Sequence, residues 1–170
     1  TFQSSLYNGT GYYKFSGREN AFRFAPKTDG IFGLAQTEYR YKGSRYYLGT
    51  SLHYSDLMQT SSRNLRPTVW GYAEQALPAG FTLLAAYSHA FSSDNVCRNY
   101  CAIGGKYTYK KAELGICSDY TCISGVNEFA TELTGCVALT EYLSLQPAMH
   151  FVTTGGRTKC IGMLRTTISL

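Results

Sequence analysis

The chain has 170 residues, and its composition is 44% hydrophobic, 16% charged and 15% aromatic. The aromatic share comes mainly from 15 Tyr and 9 Phe and exceeds that of an ordinary soluble domain. The formal net charge is +5, but the basic residues are scattered singly, which argues against nucleic acid as a partner. The longest apolar stretch lies near Phe81–Tyr87 and is much shorter than the roughly 20 residues that a membrane-spanning helix needs.

The length, without a visible linker, predicts one domain over residues 1–170. The segment after Thr1 lacks the basic and apolar regions of a signal peptide, so we expect any such peptide to have been removed. The six cysteines are an even number without CxxC pairs or the His spacing of a zinc site. They favour disulfides in an oxidising compartment over a metal, and we predict no metal site and no cofactor.

Alternation of polar and apolar residues with a period of two predicts about ten β-strands. The alternation is clearest near residue 130, where Glu128 and Glu132 alternate with Phe129 and Leu133. The predicted strands, in chain order, are 9–16, 30–41, 45–55, 67–77, 80–91, 100–109, 112–120, 126–139, 142–152 and 160–170.

The connections between the predicted strands alternate in length. The short ones are Lys42-Gly43-Ser44, Pro78-Ala79, Lys110-Lys111 and Thr140-Glu141, and the longer ones are 17–29, 56–66, 92–99, 121–125 and 153–159. Short periplasmic turns that alternate with longer external loops are typical of up-and-down transmembrane β-barrels. Soluble antiparallel barrels also produce serial hairpins of this kind, so the pattern alone leaves both classes open.

Two features favour the membrane barrel. Tyrosines gather near the ends of predicted strands, as the aromatic girdles at a membrane interface require, namely Tyr39, Tyr41, Tyr46, Tyr47, Tyr107, Tyr109, Tyr120 and Tyr142. The last strand presents Gly162, Leu164, Thr166, Ile168 and Leu170 on one face, which resembles the C-terminal assembly signal of outer-membrane barrels. We therefore predict an all-β, antiparallel, up-and-down transmembrane β-barrel in the bacterial outer membrane, surrounded by membrane lipid and lipopolysaccharide.

The block 127–156 carries the most specific resemblance to a known family. It contains Asn127-Glu128-Phe129, Glu132-Leu133-Thr134, Tyr142-Leu143-Ser144-Leu145-Gln146-Pro147 and Gly155-Gly156, and it is supported by Gly71-Tyr72-Ala73-Glu74-Gln75, Ser93-Asp94-Asn95 and Gly11-Tyr12-Tyr13-Lys14. With these residues the chain resembles the carbohydrate-selective porin (OprB) family. Ala148 departs from that family's pattern, which places an acid there, and Thr154 stands where it has Pro.

The resemblance implies a porin that lets small hydrophilic solutes, carbohydrates in particular, diffuse passively across the outer membrane. Barrels of that family have about sixteen strands, so this chain would supply the C-terminal part of a larger barrel, compatible with a homo-oligomer. The alternative is that the protein forms a smaller barrel. Ion transport through the same pore is a further expectation.

If the apolar strand faces meet lipid, the opposite faces line the pore. The pore-lining candidates are Glu38, Arg40, Arg45, Trp70, Tyr72, Glu74, Lys106, Glu128, Glu132, Gln146, His150 and Arg165, and Gln36, His53, Glu113 and Asp119 share their parity. Polar side chains bind sugar hydroxyls, rings such as Trp70 stack on sugars, and charges at a constriction bias permeation. The same charges can instead pair across strands and only fill space.

An enzyme is not predicted, because the three histidines, His53, His89 and His150, lie outside GxSxG and HExxH motifs. Two alternatives to transport stay open. One is a structural or adhesive barrel with a plugged lumen, and the other is an outer-membrane enzyme that modifies lipids.

Disulfides are predicted across the hairpin that turns at Lys110-Lys111. Residues whose numbers sum to about 221 face each other there, and Cys97 with Cys122 and Cys101 with Cys117 come close to this register. Local Cys97–Cys101 and Cys117–Cys122 bridges are the alternative. Cys136 and Cys160 are expected on opposite faces and therefore not bonded to each other.

Overall fold

The computed structural model describes residues 1–8, 30–55, 64–92 and 97–168, and these form one antiparallel sheet of ten strands. The strands are β1 (Phe2–Asn8), β2 (Ile31–Tyr41), β3 (Ser44–Ser55), β4 (Asn64–Ala76), β5 (Phe81–Ala90), β6 (Cys97–Tyr109), β7 (Ala112–Ile123), β8 (Val126–Ala138), β9 (Leu143–Thr154) and β10 (Arg157–Ile168). A 3₁₀ turn at Pro78–Gly80 joins β4 to β5. In the described ranges, no helix is long and apolar enough to cross a membrane.

The strands follow one another in the sheet in chain order, so each hairpin packs beside the next. The prediction of an all-β, up-and-down antiparallel sheet is therefore confirmed. Among the described residues no pairing joins β1 to β10, and the sheet has two open edges. The sheet is not closed into a barrel within this part of the chain.

The register divides the strand residues into two faces of opposite chemistry. One face, here called the polar face, carries every Asp, Glu, Lys and Arg of the regularly paired strand residues. The other, here called the apolar face, presents mostly Leu, Ile, Val, Met, Phe and Tyr. Because side chains alternate across a strand, the period-two pattern of the sequence becomes this division directly.

Exposure to solvent also differs between the faces. Along β5, Phe81, Leu83 and Tyr87 of the apolar face are exposed, whereas Thr82 and Leu84 of the polar face are partly buried. The same alternation runs through much of β7 and β8. Side chains crowd one another on the concave side of a curved sheet, so the alternation indicates that the sheet curls toward its polar face.

An ordinary apolar core is missing from the part of the chain that the structure describes. The buried hydrophobic residues there are Ala90 and Ala148, both small. Large apolar side chains lie on the surface instead, and Leu48 and Leu114 are 70% and 66% exposed. The large apolar side chains of this sheet therefore point toward its surroundings and not into a core.

Several turns are tighter than the sequence predicts. The predicted loops 121–125 and 153–159 are wrong, because β7 and β8 are joined by Ser124-Gly125 and β9 and β10 by Gly155-Gly156. Each of these four turn residues has a positive φ, between +50° and +81°, which is the geometry of a type I′ hairpin turn. Lys42-Gly43 forms a turn of the same kind within the predicted short connection Lys42-Gly43-Ser44, of which Ser44 already belongs to β3.

The strand ends differ from the prediction in three further places. Strand β1 was not predicted, while the predicted strand 9–16 and loop 17–29 lie outside the described residues. The predicted loop 56–66 overlaps β4, which begins at Asn64, and the predicted loop 92–99 overlaps β6, which begins at Cys97. A β-bulge between Cys97 and Tyr100 shifts the β6–β7 register at this end.

Candidate functional site

The pore-lining candidates all lie on the polar face. They are spread over β2, β3, β4, β6, β8, β9 and β10 and comprise Glu38, Arg40, Arg45, Trp70, Tyr72, Glu74, Lys106, Glu128, Glu132, Gln146, His150 and Arg165. The structure brings them together in two separate groups, one on β2–β4 and one on β6–β9. Arg165, on the edge strand β10, lies beside Gln146 in the register.

The first group combines charges with aromatic rings. Arg40 forms an ion pair with Glu38, whose carboxylate also accepts a hydrogen bond from the Tyr47 hydroxyl at 2.9 Å. Arg45 pairs in register with Arg40 on one side and with Glu74 on the other. Carboxylates and guanidinium groups thus lie side by side on three neighbouring strands, an arrangement that suits ligands rich in hydroxyl groups.

Tyr47 was predicted to belong to an aromatic girdle, and that assignment is wrong. Its odd number places it on the polar face, where its ring lies 5.7 Å from the Tyr72 ring at an interplanar angle of 48°. Its neighbour Tyr46 occupies the apolar face instead. A position near a strand end does not show which face a tyrosine occupies, whereas strand parity assigns two adjacent tyrosines to opposite faces.

Trp70 is held against the sheet by a glycine. Gly49 pairs with Trp70 in register, and the indole ring occupies the space that a Cβ atom on Gly49 would fill. The ring therefore lies over the backbone of β3 because residue 49 has no side chain. The indole therefore offers a flat aromatic surface beside the Tyr47–Tyr72 pair. The apolar face of a sugar can stack on such a surface.

The second group is predominantly acidic. Asp119 on β7 lies between Glu128 and Glu132 of the adjacent strand β8, diagonally across the register from both. Glu132 contacts the His150 Nδ1 atom at 3.5 Å, and Lys106 contacts Glu113 at 3.5 Å. Carboxylates therefore outnumber cations on this part of the polar face.

Hydrogen bonds link the second group to β9. Gln146 donates to the Thr134 hydroxyl at 3.2 Å, and the Thr154 hydroxyl donates to Glu128 at 3.0 Å. A depression of about 170 Å³ lies between these strands, lined by Lys106, Glu113, Cys117, Glu132 and Gln146 among others. In the described ranges, no three His, Cys, Asp or Glu residues are grouped so as to hold a metal ion.

Arg66 is a polar-face residue that the sequence analysis missed. It is 3% exposed, pairs with His53 in register and donates to the Asn64 carbonyl oxygen at 3.4 Å. It is the last residue of the predicted loop 56–66, for which the sequence predicts no strand face. The run Asn64-Leu65-Arg66 continues the alternation of β4 and could have revealed it.

The apolar face carries aromatic rings at both ends of its strands. At the end with the short turns, Tyr39 stacks with Tyr41 and Tyr46, and Phe81 and Tyr107 lie 4.7 Å apart; the full set there is Tyr39, Tyr41, Tyr46, Phe81, Tyr107 and Tyr109. At the opposite end the same face carries Tyr54, Tyr87, Tyr120, Phe129 and Phe151. Aliphatic residues such as Leu48 and Leu133 occupy the band between them.

The predicted disulfides are wrong, because all six cysteines are free thiols. The predicted register sum is correct, since Cys101 pairs with Tyr120 and Tyr109 with Ala112. Cys97 and Cys117 lie on the polar face and Cys101 and Cys122 on the apolar face, so each proposed cross-strand pair is divided by the sheet. Cys136 and Cys160 also lie on opposite faces, as expected.

Comparison with known proteins gives no relative: no family model matches the chain, and no curated protein or solved structure matches it significantly.

Proposed function

We propose that this chain forms part of the wall of an outer-membrane β-barrel porin through which small hydrophilic solutes, carbohydrates among them, diffuse passively. The observation that carries the proposal is the separation of chemistry between the faces: charges lie on one face and exposed apolar side chains on the other. A protein folded in water buries its large apolar side chains. A transmembrane barrel does the reverse, with an apolar exterior and a polar interior.

The dimensions of the apolar face support a bilayer environment. On β3, the aromatic residues Tyr46 and Tyr54 are eight residues apart, which corresponds to about 27 Å along a strand. With a strand tilt of about 40°, the rings would be about 21 Å apart along the membrane normal, close to the roughly 25 Å apolar band of outer-membrane barrels. Tyrosine suits both ends of such a band because its ring is apolar and its hydroxyl is polar.

The open edges support a larger assembly. Unpaired backbone donors and acceptors are very costly in hydrocarbon, so a membrane sheet must close on itself. The outer edges of β1 and β10 therefore require partner strands. The resemblance to the carbohydrate-selective porin (OprB) family, with its barrels of about sixteen strands, is consistent with a wall of which this ten-stranded sheet is the C-terminal part.

The group on β2–β4 supports carbohydrates as solutes. Trp70 and Tyr72 offer ring surfaces, and Glu38, Arg40 and Arg45 offer charged hydrogen-bonding groups on the same face. Stacking combined with hydroxyl recognition is how proteins commonly distinguish sugars from other solutes of similar size.

Liposome swelling tests the proposal directly. Proteoliposomes with the full-length protein should swell in isotonic monosaccharide faster than protein-free liposomes. Trp70→Ala should change the ratio of disaccharide to monosaccharide rates, whereas Tyr87→Ala on the apolar face should leave it unchanged. Swelling equal to that of protein-free liposomes would exclude an open pore and favour a plugged structural or adhesive barrel.

One contact favours a lipid-modifying enzyme as the second candidate. His89 and Asn99 lie on the apolar face, and their Nδ1 and Oδ1 atoms are 2.7 Å apart. An asparagine that orients a histidine is one arrangement used in acyl transfer, and Cys101 lies on this face two residues further along β6. Release of fatty acid from phospholipid vesicles, lost in His89→Ala, would support this second function.

A further inference from the structure

A groove crosses the apolar face near the short turns. It has a volume of about 690 Å³, and its walls are the side chains of Phe81, Leu83, Tyr107, Leu114, Leu133 and Met149. These residues belong to five consecutive strands, β5 to β9, so the groove runs across the sheet rather than along one hairpin. Its volume lies within the range of small-molecule binding sites in proteins.

Two glycines produce the groove. Gly105 and Gly135 stand on the apolar face, where the neighbouring positions carry large side chains. A Cβ atom on Gly105 would approach Leu83 Cδ2 at 3.9 Å, and one on Gly135 would approach Leu114 Cδ2 at 3.5 Å. Both are ordinary contact distances, so larger side chains at these positions would fill the groove instead of colliding with the backbone.

Positive charge lies beside the groove, on the side of the short turns. The β6–β7 turn consists of Lys110 and Lys111, and Lys110 Nζ lies 5.2 Å from the centre of the Tyr109 ring. Tyr107 and Leu114, which pair with each other in the groove wall, are three residues from this turn, or about 10 Å along the strands. This spacing suits a molecule with a charged head and an apolar chain.

We propose that the groove binds an acyl chain of an anionic phospholipid whose phosphate is held by Lys110 and Lys111. This inference rests on the proposed function in that the apolar face must meet lipid, but it concerns a specific site on that face. The apolar walls match an acyl chain, and the two ammonium groups match a phosphate. Of the two turns that lie at this end of β6 to β9, the β8–β9 turn carries the acidic Glu141 and the β6–β7 turn carries two lysines, so the phosphate is expected at the lysines.

Native mass spectrometry of the full-length protein in detergent tests this site. The probes are dioleoylphosphatidylglycerol and, as the neutral headgroup control, dioleoylphosphatidylcholine. Wild-type protein should retain phosphatidylglycerol in preference to phosphatidylcholine. Replacing both lysines, K110Q with K111Q, should weaken phosphatidylglycerol binding about fivefold for each lysine.

Filling the groove provides the second variant. Gly135→Leu should reduce binding of both lipids about tenfold, because the acyl chain loses its place. Two matched controls should leave binding unchanged: Gly33→Leu, on the same face of the distant strand β2, where a Cβ atom would likewise meet a leucine methyl group at 3.7 Å, and Lys42→Gln, whose ammonium also lies 5.2 Å from a tyrosine ring at another turn. The lysine variants change only exposed turn side chains and remain informative if Gly135→Leu does not fold.

The outcomes are distinguishable. Wild-type affinity in both the lysine double variant and Gly135→Leu would overturn the groove proposal while leaving the proposed porin intact. Binding of neither lipid by the wild-type protein would count against the lipid-facing surface itself. If the mass spectrum shows lipid-free oligomers and Gly135→Leu dissociates them, the groove binds a second copy of the chain and not a lipid. That result would overturn the proposal.

Discussion

Leu133 occupies the position at which a charge should be most damaging if the apolar face meets lipid. It lies on β8, four residues from Phe129 and four from Val137, and it pairs with Ile116 and Met149. Four residues correspond to about 10 Å along the membrane normal for a strand tilted by about 40°, which places Leu133 near the middle of the apolar band. Its side chain is 44% exposed, so an arginine there is directed outward.

Leu133→Arg should therefore destabilise the folded protein in lipid by about 2–4 kcal/mol. This is about a 30-fold to 1000-fold shift in the folding equilibrium. The assay is urea titration of the protein in vesicles, followed by tryptophan fluorescence. Thr134→Arg is the matched control, because it adds the same charge one residue away on the polar face and should cost less than about 1.5 kcal/mol.

Equal stabilities of Leu133→Arg and wild type would refute the reasoning. An exposed position in water tolerates most substitutions within about 0.5 kcal/mol. That result would mean that the apolar face does not meet hydrocarbon.

Three further predictions concern the polar face and the cysteines. Gly49→Val should displace the ring of Trp70, the only tryptophan, red-shift its fluorescence emission and lower the free energy of unfolding by about 1–3 kcal/mol. The control Gly162→Val should change neither the emission nor the stability, and an unchanged spectrum of Gly49→Val would contradict the packing of Trp70 against Gly49. In planar bilayers, Glu132→Ala should lower and Arg165→Ala should raise the preference for cations, and reversal potentials unchanged in both would place these residues outside the conducting path. Unfolded protein purified without reductant should show six free thiols by maleimide mass labelling, and a Cys97–Cys122 or Cys101–Cys117 disulfide would contradict the division of the cysteines between the faces.

Strand parity explains why much of the fold could be predicted. A two-residue turn at Lys110-Lys111 fixes the pairing of an entire hairpin, and the predicted sum of 221 holds from Tyr109–Ala112 to Tyr100–Thr121. The same parity placed Glu128, Glu132, Gln146 and His150 together on one face. A one-residue slip would have exchanged the faces, so the alternation of charge determines the register strongly.

The strand prediction fails where the alternation of polar and apolar residues is weak. Polar residues flank Gly155-Gly156 on both faces, as Thr153, Thr154, Arg157 and Thr158 show, so the strand ends there look like a loop. Strand β1 has polar Ser4 and Ser5 side by side, which conceals its alternation. Where a strand extends beyond an apolar band, its outer face no longer needs apolar side chains, and the sequence signal ends before the strand does.

The cysteine prediction failed for a different reason. Two thiols on paired strands can bond only if they are close in register and also lie on the same face, and the predicted pairs satisfy at most the first condition. Cys97 pairs with Ile123 and is therefore one residue from register with Cys122, yet the backbone of the sheet separates their side chains; Cys101 and Cys117 lie on opposite faces too and are three residues out of register. The sequence also could not reveal the roles of Gly49 beneath Trp70 and of Gly105 and Gly135 in the apolar groove. Each role depends on which residue of the neighbouring strand lies opposite the glycine.

The most direct test of the central claim is the accessibility of spin labels placed singly at successive positions of β8, from Phe129 to Val137, in lipid vesicles. Labels at Phe129, Thr131, Leu133 and Val137 should collide preferentially with oxygen, which concentrates in the bilayer. Labels at Ala130, Glu132, Thr134 and Cys136 should collide preferentially with a water-soluble nickel chelate. An alternation of period two with these phases is predicted, and uniform accessibility or the opposite phase would contradict the assignment of the apolar face to lipid and the polar face to water.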